Sequence, residues 1–146
     1  MVDSVVVIGA RGRVGSAMSA RLRERGVELR DADADLILLC VPDRAIAGVA
    51  AGIEPGPWVA HTSGGTPLAA LAPHERRFSV HPLQTFTHDR GPDQLDGAWA
   101  AVTGETDEAA AARGCARATS RLRRPRPSRR SRRPRPRRAG RGRGRA

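Results

Sequence analysis

The chain has no lysine: all 26 of its basic residues are arginine. It has no apolar run approaching the roughly 18 to 20 residues that cross a bilayer as a helix, which excludes a helical integral membrane protein. The N-terminus does not read as a secretory signal, because the apolar burst Val5–Ile8 is short and is broken at once by Gly9 and Arg11. A cytoplasmic location is therefore expected. Cysteine is almost missing too. Cys40, inside an apolar run, and Cys115, far downstream, are too few and too distant for a disulfide framework. Cys40 reads as a small buried hydrophobe and Cys115 as an incidental thiol. His61, His74, His81 and His88 sit at spacings that make no metal set, so no metal is expected.

Acidic residues are absent from the last quarter. Residues 1–112 carry 10 arginines against 15 acids, a net −5, whereas residues 113–146 carry 16 arginines and no acid. The overall charge of +11 thus averages two unlike parts, and a partner inferred from it would be inferred from the tail alone. With 146 residues, 39% of them hydrophobic, the chain has room for one domain with a modest core.

That domain is expected over residues 1–112. Val5–Ile8 is a β-branched run ending at Gly9, as in a strand covered on both faces. From Val14 the period becomes helical, with Val14, Ala17, Met18 and Leu22 on one face and Gly26 where a helix commonly stops. Val27–Leu29 and Leu36–Val41 read as the next strands, and the Ala-rich Ala45–Ala51 as a helix closed off from the strand by Pro42 and Asp43. Trp58–Ala60, Phe78–Val80 and Ala98–Val102 are weaker strand candidates, and a helical pattern resumes over Thr106–Ala112. Alternating strands and helices predict an α/β fold: a doubly wound parallel sheet with helices on both faces.

The segment Gly9-Ala10-Arg11-Gly12-Arg13-Val14-Gly15 follows a strand and opens a helix. A tight turn, a close backbone approach to a pyrophosphate and close helix packing each need a residue without a Cβ, and the helix N-terminus offers free N–H groups to phosphate. The spacing is GxxGxxG, one residue longer between the first two glycines than GxGxxG. This context points to a dinucleotide. Arg11 and Arg13 are placed to reach a phosphate. Arg30 would suit the 2′-phosphate of NADP, and Asp31 the ribose 2′-hydroxyl of NAD, so the cofactor reads as NADP or NAD. Both side chains also fit solvated loop charges.

Three further segments fall where strand ends should lie: Cys40-Val41-Pro42-Asp43, His61-Thr62-Ser63-Gly64, and His81 through Phe86. With the glycine loop, the ordered set GRVG, CVPDRAI, HTSGGTPLAAL and HPLQTF resembles the N-terminal domain of Rossmann-like oxidoreductases that carry a C-terminal domain of unknown function. That family looks related to pyrroline-5-carboxylate reductases, 6-phosphogluconate dehydrogenases and prephenate dehydrogenases. The resemblance implies an NAD(P)-dependent oxidoreductase acting on a small molecule. By it, Gly9, Gly12, Arg13 and Gly15 fall on the cofactor loop, Val41 and Pro42 pass the nicotinamide ribose, and Ser63, Gly64 and His81 lie near the reacting centre. Gln84 would hold a polar group of the substrate. An imidazole suits such a centre because hydride transfer at a carbon bearing oxygen or nitrogen also moves a proton. A His-Pro pair can equally do no more than shape a turn.

After Ala112 these patterns stop. RRPRP occurs at Arg123–Pro127 and again at Arg132–Pro136, and the chain ends RGRGRA, so residues 113–146 are expected to be a disordered tail. Its composition is what an out-of-frame reading of a GC-rich gene gives. The competing reading makes the tail functional, a non-catalytic module that binds nucleic acid without sequence preference through phosphate contacts. The resemblance implies a helical second domain over the cleft that mediates dimerisation, and the tail does not read as one. The chain is therefore expected to bind dinucleotide weakly, without turnover and without forming a homodimer.

Overall fold

The computed structural model describes residues 2–104 and the backbone of Arg121–Leu122. Strand β1 (Ser4–Ile8) leads through the glycine loop into helix α1 (Arg13–Glu24), then β2 (Glu28–Leu29) and β3 (Leu36–Leu39). Helix α2 (Asp43–Ala51), β4 (Trp58–His61), a 3₁₀ turn at Leu68–Leu71 and β5 (Arg77–Pro82) follow. A second 3₁₀ turn at Pro92–Leu95, strand β6 (Trp99–Gly104) and the two-residue β7 (Arg121–Leu122) complete the described elements.

The strands form one sheet in the order β2-β1-β3-β4-β5-β6-β7. β1 to β5 are parallel, with Val5 opposite Leu36, Leu39 opposite His61, and His61 opposite Ser79. The apolar run LILL is buried from both sides. Leu36 and Leu38 join the core cluster under α1 with Met18, Leu22 and Phe78, while Leu39 joins Ile46, Ala50, Val59 and Leu71 in the cluster under α2. Burying Met18 and Leu22 contributes about 1.5–3 kcal/mol each, which holds α1 to its face of the sheet. The chain leaves α1 as Gly26 predicts. That glycine takes φ +76°, and the N–H groups of Gly26 and Val27 donate to the carbonyls of Arg23 and Leu22, closing the last turn.

The expected parallel order breaks at β6, which runs antiparallel to β5, with His81 opposite Ala101. The connection between them carries a 3₁₀ turn and no crossover α-helix, and a return without a crossover pairs strands antiparallel. Its loop is organised by Gln94, a residue the sequence reading passed over. The buried amide accepts from the Thr87 N–H and donates to the carbonyls of Thr87, Arg90 and Gly91.

The helix expected over Thr106–Ala112, Cys115 and the Arg/Pro-rich tail lie outside the described residues, save for Arg121 and Leu122. Those two fall in the stretch expected to be disordered, yet their backbone pairs with Trp99 and Ala100 of β6, a contact that asks nothing of side-chain type. No helix among the described residues is long and apolar enough to cross a membrane.

Candidate functional site

The strand order reverses between β1 and β3. From β1 the chain crosses over α1 to β2 on one side; from β3 it crosses over α2 to β4 on the other, on the opposite face of the sheet. A crevice opens at such a point beyond the carboxyl ends of the strands. Two of the expected segments meet there. Gly9 adopts φ +88°, and a Cβ on it would stand 2.4 Å from the carbonyl oxygen of Cys40 and 3.3 Å from the Val41 side chain. Only glycine permits that approach.

The other two loop glycines serve different ends. A Cβ on Gly15 would lie 2.1 Å from the Gly9 carbonyl oxygen, so this residue lets α1 sit directly on the turn. Gly12 donates its N–H to the Gly9 carbonyl at 2.9 Å and forms the N-cap of α1 with no side chain capping the helix. It is exposed, and its nearest neighbour to a built Cβ, the Gly9 oxygen, is at 3.3 Å. The first turn of α1 holds no acid, and Arg11 and Arg13 are exposed on either side of Gly12. Uncapped N–H groups, the positive end of α1 and two guanidinium groups without a competing carboxylate are a fit for a pyrophosphate.

Val41 is half-buried against the α2 cluster, and Pro42 is exposed as the N-cap of α2. At the end of β2, Arg30 donates to the Glu28 carboxylate at 2.8 Å, which raises its pKa further, and to the Asp33 carbonyl at 3.0 Å, while Asp31 is exposed. Cys40 is no nucleophile. Burial pushes its thiol up to about 12 against a smaller opposing hydrogen bond from Thr62, as the apolar run around it implied.

Ser63, Gly64 and His81 come together with Thr66, Ser79 and Thr103 around a cleft of about 290 Å³ on the α2 side of the sheet. The Ser63 hydroxyl accepts from the N–H groups of Gly65 (3.1 Å) and Thr66 (3.0 Å), so it shapes the loop whose wall it forms. His81 Nδ1 lies 3.0 Å from the Thr62 carbonyl oxygen. Gln84 is not in this group: its amide donates to the Gln94 carbonyl and ties the β5–β6 connection together. Ser79 and Thr103 gave no motif signal. They enter because β5 and β6 pair them in register, beside His81 and Ala101.

His61, one residue from this cleft, is fully buried opposite Leu39 and Ser79, and neither ring nitrogen has a hydrogen-bond partner among the described residues. Burial holds its pKa below the ordinary imidazole value, only partly opposed by the carboxylate of Asp43.

No family model and no curated protein sequence matches the chain. Solved structures do. A semialdehyde dehydrogenase NAD-binding protein from Cupriavidus necator, in complex with calcium and NAD, superposes with a TM-score of 0.59 at 17% identity, over 85% of this chain and 62% of that one. The chain has the Rossmann fold. A reductive aminase from Aspergillus terreus in complex with NADPH and ethyl-5-oxohexanoate gives 0.58 at 16% identity, over 85% and 55% of the two chains. A 1-pyrroline-5-carboxylate reductase from Streptococcus pyogenes gives 0.59 at 14% identity, over 82% and 56%. This Rossmann chain therefore spans under two thirds of the length of each of these neighbours.

Proposed function

We propose that the chain is the cofactor-binding part of an NAD(P)-dependent oxidoreductase acting on a small molecule. The observation that carries this reading is the glycine turn at the β1–β3 reversal: Gly9 pressed on the Cys40 carbonyl, Gly15 pressed on Gly9, and an uncapped helix N-terminus facing outward at Gly12. Structural neighbours crystallised with NAD and with NADPH support it.

The N–H groups at the start of α1 would hold the pyrophosphate, with Arg11 and Arg13 beside it. Val41 and Pro42 would bound the nicotinamide ribose, and Arg30 or Asp31 would read the adenosine ribose. When bound, the dinucleotide supplies the hydride donor or acceptor. Ser63, Gly64 and His81 line the space left for the substrate, and His81 is the group there able to take or give a proton at Nε2. Gln84 would act on substrate only by leaving the Gln94 carbonyl.

Calorimetry with NADP and with NAD tests the loop and decides between the cofactors. Gly12→Val should keep the fold, since Gly12 has φ −73° and its built Cβ meets nothing closer than 3.3 Å. Its branched side chain would stand over the N–H groups and weaken dinucleotide binding at least tenfold. Unchanged affinity in a folded Gly12→Val chain would remove the loop from the site and the function with it.

A further inference from the structure

Four features combine at His81. A carbonyl oxygen only accepts, so the 3.0 Å contact with the Thr62 carbonyl requires the proton on Nδ1. In the neutral ring Nε2 then keeps its lone pair, and it has no partner among the described residues. The ring lies directly on Gly64, where a Cβ would be 2.6 Å from both Cδ2 and Nε2 and 3.0 Å from Cε1. The backbone of Gly64 is not in the left-handed region that favours glycine, so space against the imidazole is what a side chain here would violate. Finally, Ser79 and Thr103, paired across β5 and β6, line the same cleft as His81.

From this geometry we infer that Gly64 is a positioning residue: it seats the His81 imidazole so that the Thr62 carbonyl fixes the Nδ1–H tautomer. The cleft then presents a bare acceptor at Nε2, and takes a substrate whose reacting end carries an O–H or N–H donor, an alcohol or an amine, in preference to the corresponding carbonyl. Histidine free in water favours the opposite tautomer, so the Thr62 contact imposes the state. A ketone oxygen would meet lone pair with lone pair, and an alcohol completes the hydrogen bond. This rests on the oxidoreductase reading for the claim that the cleft holds substrate; the tautomer and its dependence on Gly64 do not.

The test is long-range proton–nitrogen NMR of the histidine rings in the full chain, with dinucleotide calorimetry on the same samples. In the neutral imidazole of the wild type, the His81 proton should sit on Nδ1 and Nε2 should be bare. Gly64→Ala should leave dinucleotide affinity within twofold, because the atoms a Cβ meets belong to a movable ring, and should shift His81 toward the Nε2–H form. With NADPH present, 2-propanol should move the Nε2 resonance; with NADP present, acetone should not. An Nε2–H tautomer in the neutral ring of the wild type, or an unaltered tautomer in Gly64→Ala, overturns the positioning role. An equal response to alcohol and ketone, or none to the alcohol, overturns the substrate class. Loss of dinucleotide binding in the wild type would sink the oxidoreductase reading and leave the tautomer result standing.

Discussion

Two Gly→Ala substitutions in this molecule should have opposite signs, and the difference follows from what each new methyl meets. In Gly15→Ala the Cβ would stand 2.1 Å from the Gly9 carbonyl oxygen, 2.7 Å from its carbon and 3.0 Å from the Ala10 Cα. All three are backbone atoms of a turn held on its other side by the Cys40 carbonyl, so no rotamer change relieves the overlap. Carbon–oxygen contacts are comfortable at about 3.3–3.6 Å, which requires α1 or the turn to move by more than an ångström. An overlap this deep with backbone alone falls in the upper part of the overpacking range, about 2–3 kcal/mol, against a helix-propensity gain of about 1 kcal/mol. The net is a loss of about 1–2 kcal/mol. Gly48, inside α2, is exposed and has nothing within 4 Å of a built Cβ, so Gly48→Ala should gain about 0.5–1 kcal/mol. The variants should therefore lie about 1.5–3 kcal/mol apart, roughly 6–24 °C in Tm for a domain of this size. Urea unfolding followed by circular dichroism reads this as midpoints moving in opposite directions at constant slope. A Gly15→Ala chain as stable as the wild type would show that α1 is not seated on the turn, and the account of the glycine loop would fall.

Two further expectations concern pH. His61 is neutral and unpartnered in the fold, with its pKa held low by burial, so the unfolded chain protonates first as pH drops past about 6.5 and stability is lost from there down to the folded value. His61→Leu removes two unsatisfied nitrogens worth about 1–3 kcal/mol, and its advantage in urea midpoint should widen from pH 8 to pH 5; parallel curves would refute this. Asp35 Oδ2 accepts from the N–H groups of Asp3 and Ser4 and from the Ser4 hydroxyl, which lowers its pKa from 3.8. That contribution is present above about pH 4 and is lost as pH falls through the lower folded value. The gap in urea midpoint between wild type and Asp35→Asn should therefore shrink from pH 6 to pH 2.5, and a constant gap would show the carboxylate is not held by these donors.

The parallel half of the sheet was legible because its strands declare themselves by burial on both faces. Val5–Ile8 and LILL are unbroken apolar runs, and a run of that kind between helical periods leaves little choice of topology. Strand ends were less legible: Leu36–Val41 was expected and Leu36–Leu39 is formed, since Cys40 and Val41 leave the ladder to meet Gly9. The direction of β6 was not legible. It depends on the connection after Pro82, which folds around the amide of Gln94, and a single glutamine in a turn-rich stretch has no period to announce it.

The site divides along the same line. Gly9 and Gly15 could be read from sequence because each answers a close approach of backbone, and glycine is the residue that such approaches select; Gly12 meets no contact that tight. What sets His81 apart could not be, because the partner that fixes its tautomer is the carbonyl of Thr62, a group every residue possesses. The motif HTSGG names the loop and leaves its decisive atom unnamed. Gly64 is the visible trace of that contact: the one side chain that would have stood between the loop and the ring is missing, and its absence lets a backbone carbonyl choose which nitrogen of His81 faces the cleft.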